Sequence, residues 1–175
     1  MAAPQGMLRA HQGEQCVLFR VEGRALMDLG MALRRCGEQG LARGATSLLV
    51  DLRQCAFMDS TFLGTLLFLK RAVERRPCGR FALVAPSQEC CQLFEQMGIA
   101  EVFAMATGDE LGVVDCTTFE AAMDDVKAFQ LNVVQAHVEL AKLPGGAAEP
   151  FKKVARMLRQ EMEATDTTSS VLPPE

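Results

Sequence analysis

An alternation between short apolar runs and amphipathic segments constrains the fold of this chain. The apolar run SLLVDL at residues 47–52 suits a strand buried on both faces, and FALVA at residues 81–85 suits another. Between them, the segment STFLGTLLFLKRAVERR carries apolar residues at helical spacing, and its last turn is basic. Strands that alternate with helices imply parallel crossover connections, so we expect an α/β fold with a mixed sheet and helices packed on it.

Similar patterns extend this unit in both directions along the chain. β-Branched and aromatic residues indicate two strands near the start, separated by a turn that contains glycine. Apolar residues at 3–4 spacing then predict further helices, and the predicted order is β-β-α-β-α-β-α-β. The predicted ranges are 6–10 and 16–23 for the first two strands, 25–42 and 87–97 for two helices, 53–59 for a loop and 101–106 for the last strand.

The C-terminal part of the chain has a different pattern. Residues 117–143 keep a 3–4 apolar spacing that predicts one long amphipathic helix, and a Pro-Gly-Gly break precedes a shorter helix at 151–162. The predicted division is an α/β domain at 1–115, a helical extension at 116–164 and a polar, disordered tail at 165–175. The long helix could cover the α/β domain, bind a partner, or form a homodimer through the C-terminal helices.

Composition narrows the classes of function. The net charge is −4, which disfavours a nucleic acid partner because duplex-DNA binders are usually basic. The chain has ten Phe but no Tyr and no Trp, so it lacks the side chains that most often anchor rigid binding surfaces. The two histidines, His11 and His137, leave little room for a His-rich metal site.

Seven cysteines cannot all pair with one another, and no CxxC motif is present. We find no secretory signal and no apolar run long enough for a membrane span, so the chain is expected to be cytoplasmic with reduced thiols. The glycine-rich, P-loop, zinc-protease and nucleophile-elbow motifs are also missing. We therefore expect no catalytic residues, no cofactor and no metal.

The run FMDSTFLG is the strongest candidate for a functional site. It follows a buried strand at its carboxyl end, where α/β sheets expose their functional loops. Asp59 or Ser60 falls at the helix N-cap, and residues of this type commonly serve only to start a helix. A hydroxyl beside a helix N-terminus also tolerates a phosphate group, which on Ser60 would add about 1.5 to 2 negative charges at pH 7.

Two longer runs resemble the STAS domains of anti-sigma factor antagonists. They are LLVDLRQCAFMDSTFLGTLLFLKRAVERR and GRFALVAPSQECCQLFEQMGIAEVF. The family pattern is an apolar strand ending in Asp-Leu, a loop with Phe-Met-Asp-Ser, a helix, and then a strand and a helix that ends in a Gly-Ile-like turn. The resemblance covers about residues 5–115. It implies a STAS-like mixed β-sheet with helices packed on it, followed here by the C-terminal helical extension.

The resemblance also implies a function. In this family the anti-sigma factor is itself a kinase, and the unphosphorylated antagonist binds that kinase, which frees the sigma factor. The kinase phosphorylates the serine after the Asp of the motif. Phosphorylation breaks the complex, and a phosphatase restores it. By position the phosphoacceptor is Ser60, and the partner-binding residues are Asp59, Ser60, Thr61 and Phe62. The chain would then be a phosphoprotein of signal transduction and transcription regulation that acts through protein-protein interaction and is not an enzyme.

Two positions differ from the family pattern. Phe62 stands two residues after the candidate phosphoserine, where members often have Gly. The run GRAL at residues 23–26 replaces a common Gly-Glu-Leu-Asp, so that the nearest acid is Asp28.

Two other classes of function stay open. One is a STAS scaffold without a phosphorylation cycle, in a signalling or lipid-transport assembly, in which the appended helices dominate. The other is a small-molecule binder or a thiol-dependent activity, which needs a pocket or a cysteine of low pKa.

Overall fold

A six-stranded mixed sheet forms the centre of the fold. The computed structural model describes residues 6–108, 115–119 and 125–169. The strands are β1 Met7–Gln12, β2 Cys16–Ala25, β3 Ser47–Met58, β4 Arg80–Val84, β5 Met105–Ala106 and β6 Thr117–Phe119. Their order across the sheet is β5-β4-β3-β2-β1-β6. The four strands from β2 to β5 are parallel to one another, whereas β1 is antiparallel to both β2 and β6.

Five helices accompany the sheet. They are α1 Met27–Ala42, α2 Ser60–Glu74, α3 Gln88–Gln96, α4 Val126–Leu140 and α5 Glu149–Ser169. The first three connect successive parallel strands, as the alternation of apolar and amphipathic segments predicts. The predicted α/β class and the order of elements through β5 are confirmed, and a 3₁₀ turn at Ala100–Val102 occupies part of the predicted last strand.

Strands β2 and β3 are longer than the sequence pattern predicts. Their parallel pairing continues past two irregularities to Arg24 opposite Phe57 and Ala25 opposite Met58. The prediction of a loop at 53–59 is therefore wrong for residues 53–58. Cys55 and Met58 face inward and are the buried positions of this segment. Hydrogen bonds to β2 hold the segment extended, and a local sequence pattern does not reveal that pairing.

The core is apolar and contains several phenylalanine side chains. Phe81 and Phe94 both pack against Phe103, with ring centroids 6.0 and 5.7 Å away. The largest fully buried side chains also include Phe19, Phe62, Leu33, Leu48, Leu63 and Leu66. A phenylalanine ring has no polar atom, so the core buries these aromatic rings without having to supply a hydrogen-bonding partner.

The start of the C-terminal extension differs from the prediction. Residues Thr117–Phe119 form β6 and pair with β1, so the single helix predicted over 117–143 is wrong at its beginning. Helix α4 begins only at Val126, and residues 120–124 lie outside the described residues. The open edge of β1 supplies the hydrogen bonds of β6, and this long-range pairing overrides the local helical spacing. The division at residue 115 stays a prediction, although β6, beyond it, belongs to the sheet.

The last helix is longer than predicted. The break at Pro144 is followed by a 3₁₀ turn at Gly145–Ala148, and α5 then runs to Ser169. The prediction of disorder is wrong for residues 165–169, and residues 170–175 lie outside the described residues. The helix continues beyond its apolar face because its backbone hydrogen bonds require no apolar side chain. No described helix is long and apolar enough to cross a membrane.

Candidate functional site

Asp59 joins the end of β3 to the start of α2. Its backbone is extended, and its Oδ1 accepts a hydrogen bond of 2.8 Å from the backbone N–H of Phe62. Its own backbone N–H donates to the carbonyl oxygen of Ala25 at 3.0 Å, which ties the helix start to the end of β2. Of the two predicted N-cap candidates, Asp59 is the cap, and Ser60 is the first residue of the helix.

The Ser60 side chain is half-buried and has a partner far along the chain. Its Oγ lies 3.3 Å from Nε2 of His137, which belongs to α4. The other ring nitrogen of His137, Nδ1, lies 2.8 Å from the carbonyl oxygen of Val133. A carbonyl can only accept, so Nδ1 carries the hydrogen in the neutral ring, and Nε2 accepts from the Ser60 hydroxyl.

Thr61 and Phe62 lie inside the fold. Phe62 is fully buried among the core residues, and Thr61 is 3% exposed. Contact with a partner requires accessible side chains, so in this conformation neither residue presents a binding surface. The partner surface predicted for Asp59, Ser60, Thr61 and Phe62 stays a prediction, and in this conformation only Asp59 and Ser60 of the four are accessible.

Helices α2 and α4 cross in close contact at Gly64. A Cβ atom added to Gly64 would overlap the backbone of Ala136, and its nearest atom would be the Ala136 carbonyl oxygen. Only glycine at position 64 lets the two backbones approach this closely. The crossing therefore places α4 directly over the outward face of α2, one turn from Ser60.

Polar side chains surround this crossing. Asn132 donates a hydrogen bond to Thr65 Oγ1 at 3.4 Å and accepts one from Arg34, also at 3.4 Å. The Arg34 guanidinium lies 4.1 Å from the centre of the Phe68 ring. Asn132 is itself buried, so α4 has a specific polar contact with both α1 and α2.

Glu139 forms a second polar contact between the helices. Its side chain is 2% exposed, pairs with Arg71 of α2 and lies 2.8 Å from Lys142 Nζ. Burial by itself would raise the pKa of the Glu139 carboxyl, but its hydrogen bonds and the charges of Lys142 and Arg71 outweigh burial and lower that pKa. Glu139 is thus held as a carboxylate that joins α4 to α2.

Comparisons with known proteins decide the family. A family model described as "Mlab, STAS domain" matches residues 7–107, which is more than half of the chain. The chain belongs to the STAS-domain family. The match ends before β6, so α4 and α5 lie outside it. The comparison with curated proteins finds no match.

Solved STAS structures have the same fold. The anti-sigma factor antagonist SpoIIAA in its unphosphorylated form superposes with a TM-score of 0.52 at 23% identity, over 62% of this chain and 99% of that one. An anti-sigma factor antagonist from Mycobacterium paratuberculosis superposes with a TM-score of 0.51 at 19% identity, over 60% of this chain and 89% of that one. The predicted STAS-like fold is confirmed.

The thiols of this STAS protein are free, and two of them contact each other inside the core. Cys55 and Cys90 are both at most 1% exposed. Their mutual hydrogen bond raises the pKa of Cys55, an effect that burial reinforces, and lowers the pKa of Cys90 despite burial. A reactive cysteine must also be accessible, and burial keeps this pair away from dissolved reagents. Among the described residues, no group of three or more His, Cys, Asp or Glu is arranged to hold a metal ion.

His137 and Glu139 are site residues that the sequence reasoning missed. Both lie in the C-terminal extension of the STAS domain. The available signal was the set of polar residues within an apolar helical pattern, namely Asn132, His137 and Glu139, all of which are buried. Such residues need partners, and a single sequence does not name those partners.

Proposed function

We propose that this STAS protein is a cytoplasmic, non-enzymatic switch that binds a protein serine kinase acting as an anti-sigma factor. Ser60 is the phosphoacceptor in this proposal, and nucleotide and magnesium belong to the kinase. The observation that supports it is the position of the Ser60 hydroxyl: on the first residue of α2, outside the core and directly after the Asp59 cap. SpoIIAA, which shares the fold, is an anti-sigma factor antagonist described in an unphosphorylated form.

A phosphate on Ser60 would be tolerated by helix α2. The N-terminus of a helix favours negative charge, so the modified residue could keep its place in α2. The same group would add about 1.5 to 2 negative charges and three acceptor oxygens to the surface that a partner has to contact. Phosphorylation would therefore weaken the complex with the kinase more than it weakens the fold, and a phosphatase would reverse it.

The proposal is tested by incubating the protein with ATP, magnesium and serine kinases encoded beside it. Intact-mass and peptide mass spectrometry then locate the phosphate, and binding to each kinase is measured for Ser60→Ala and Ser60→Asp. We expect one phosphate on Ser60, none in Ser60→Ala, and weaker binding by Ser60→Asp. Thr118→Ala, which removes an exposed hydroxyl from β6, is the matched control. An unmodified Ser60, with both Ser60 variants binding like the wild type, contradicts the proposal.

A second candidate function is a scaffold without a phosphorylation cycle, in a signalling or lipid-transport assembly. It is favoured by the contact of His137 with Ser60, which gives that hydroxyl a structural role. Exposed apolar side chains on the extension, at Leu131 and Met157, would then bind a partner or a second copy. Leu131→Lys and Met157→Lys would reduce self-association in sedimentation experiments, whereas Ser60→Ala would not. A monomeric wild type would remove the homodimer version.

A further inference from the structure

Helix α4 covers the outward face of α2 from its first residue to Arg71. We infer that α4 is a displaceable cover of Ser60, which is half-buried beside it, and that the departure of α4 from α2 opens that hydroxyl fully to another protein. The regulatory meaning of this inference rests on the proposed function, because it concerns access to the same serine. The docking and undocking of α4 can be measured without any kinase.

The first argument is steric. The His137 ring occupies the space directly beside the Ser60 hydroxyl, with Nε2 at 3.3 Å from Oγ. His137 is itself buried and is held by the Val133 carbonyl, so the ring has a defined place rather than a solvated one. A phosphate group needs room for three oxygens around the same Oγ. A phosphate on Ser60 would therefore need the docked ring, or α4 with it, to shift from its place beside Oγ.

The second argument is the chemistry of the contact. The buried residues of α4 are Asn132, Ala136, His137, Glu139 and Leu140, of which three are polar. Contacts between units that associate and separate are more polar than the interior of a permanent core. When α4 leaves, water can replace the hydrogen bonds of Asn132 and His137 at a small net loss for each, whereas the charged contact of Glu139 with Arg71 is the stronger hold on the helix. The composition of this interface is consistent with a helix that docks reversibly.

The crossing at Gly64 supplies a selective way to disturb the cover. Gly64→Ala places a methyl group where the Ala136 backbone lies, so α4 cannot keep its docked position. Within α2 the substitution is favourable, because alanine has a higher helix propensity than glycine. Gly146→Ala is the matched control, since a Cβ atom at Gly146 has open space around it.

The experiment is hydrogen exchange on the full chain, followed by mass spectrometry, for the wild type, Gly64→Ala and Gly146→Ala. We expect Gly64→Ala to accelerate amide exchange in Val126–Leu140 by at least about tenfold, with unchanged exchange in β2 and β3. Gly146→Ala should exchange like the wild type. Unchanged exchange of α4 in Gly64→Ala would overturn the inference.

A second measurement reads access to position 60 directly. Ser60→Cys introduces a thiol whose alkylation rate by iodoacetamide is determined by peptide mass spectrometry, with exposed Cys78 as the internal reference. We expect slow alkylation in the otherwise unchanged chain and a rate near that of Cys78 when Gly64→Ala is added. Equal rates without Gly64→Ala would show that α4 does not cover the site. If Gly64→Ala also loosens the strands, Glu139→Gln loosens α4 through a different contact and is evaluated by the same two rates.

Discussion

The hydroxyl of Ser60 donates a hydrogen bond to Nε2 of His137, a residue 77 positions later in the chain. The bond joins the part of the molecule that the STAS model matches to a helix that lies outside that match. Whatever binds or modifies Ser60 therefore encounters His137 as well. The contribution of the C-terminal extension to this site can be measured residue by residue.

The Ser60–His137 bond should appear as a coupling energy. His137→Leu removes the acceptor, and we expect a loss of about 0.5–1.5 kcal/mol in the free energy of unfolding measured in urea. Ser60→Ala removes the donor, and the double variant should be less destabilised than the sum of the two by about 0.5–1 kcal/mol. Additive effects of the two substitutions would show that the contact does not contribute to stability.

Glu139 should make the free energy of unfolding depend on pH in the acidic range. Its pKa is lowered in the folded protein, so its contribution is fully present above the unfolded value of about 4.3 and is lost as the pH falls through the folded value. At neutral pH we expect Glu139→Gln to lower the free energy of unfolding by about 1.5–3 kcal/mol, because hydrogen bonds to a charged group are lost. The difference from the wild type should shrink below about pH 4.

The control for this pH dependence is Glu149→Gln. Glu149 also pairs with a lysine, Lys152, but its side chain is exposed, so the pair should contribute at most about 1 kcal/mol. Denaturation in urea at several pH values measures both variants. A Glu139→Gln difference that stays constant with pH would mean that this carboxylate does not hold α4 through its charge.

The Asp59 cap should contribute to the stability of α2. Asp59→Ala removes the acceptor of the Phe62 N–H, and we expect a cost of about 0.5–2 kcal/mol in the free energy of unfolding. Asp59→Asn keeps an oxygen that can accept the same bond, so it should retain most of the stability. Equal stability of Asp59→Ala and the wild type in thermal and urea unfolding would be inconsistent with this cap.

Phe62 should act in folding rather than in binding. Because its ring is completely buried, Phe62→Ala should cost about 3–5 kcal/mol in the free energy of unfolding. Phe57, which is 44% exposed and lies under the Arg24 guanidinium, is the matched control, and Phe57→Ala should cost at most about 1 kcal/mol. If Phe62→Ala folds normally but no longer binds a partner, this expectation is wrong and Phe62 belongs to the binding surface.

The sheet and the first three helices could be predicted from the sequence because their burial pattern repeats over short distances. The apolar run that became β3 and the amphipathic run that became α2 each carry the period of their own structure. The start of α2 at Asp59 and Ser60 was predictable for the same reason, since a cap is a local interaction. Family resemblance added the interpretation of Ser60 as a phosphoacceptor, which remains a prediction.

The rest depends on residues that meet only in the folded chain. Strand β6 exists because Leu8 and Phe119 are opposite each other across a sheet edge, and neither residue indicates that pairing by itself. The docking of α4 depends on the contact of Gly64 with the Ala136 backbone. A contact between two backbones does not appear in the sequence pattern of apolar and polar residues. The burial of Phe62 was missed because an aromatic residue near a helix start suits a binding surface as well as a core.

The pairing of β6 with β1 has a consequence for competition at the α2 face. Only residues 120–125 separate the end of β6 from the start of α4, so an undocked α4 stays tethered to the sheet edge. Because α4 and the α2 face belong to one chain, α4 meets that face at an effective concentration that dilution does not lower. A partner that must displace α4 competes with this helix for the face. The partner's apparent affinity is its intrinsic affinity multiplied by the fraction of time that the face is open. The covalent attachment of α4 to β6 would thus set the threshold concentration at which a partner is recognised.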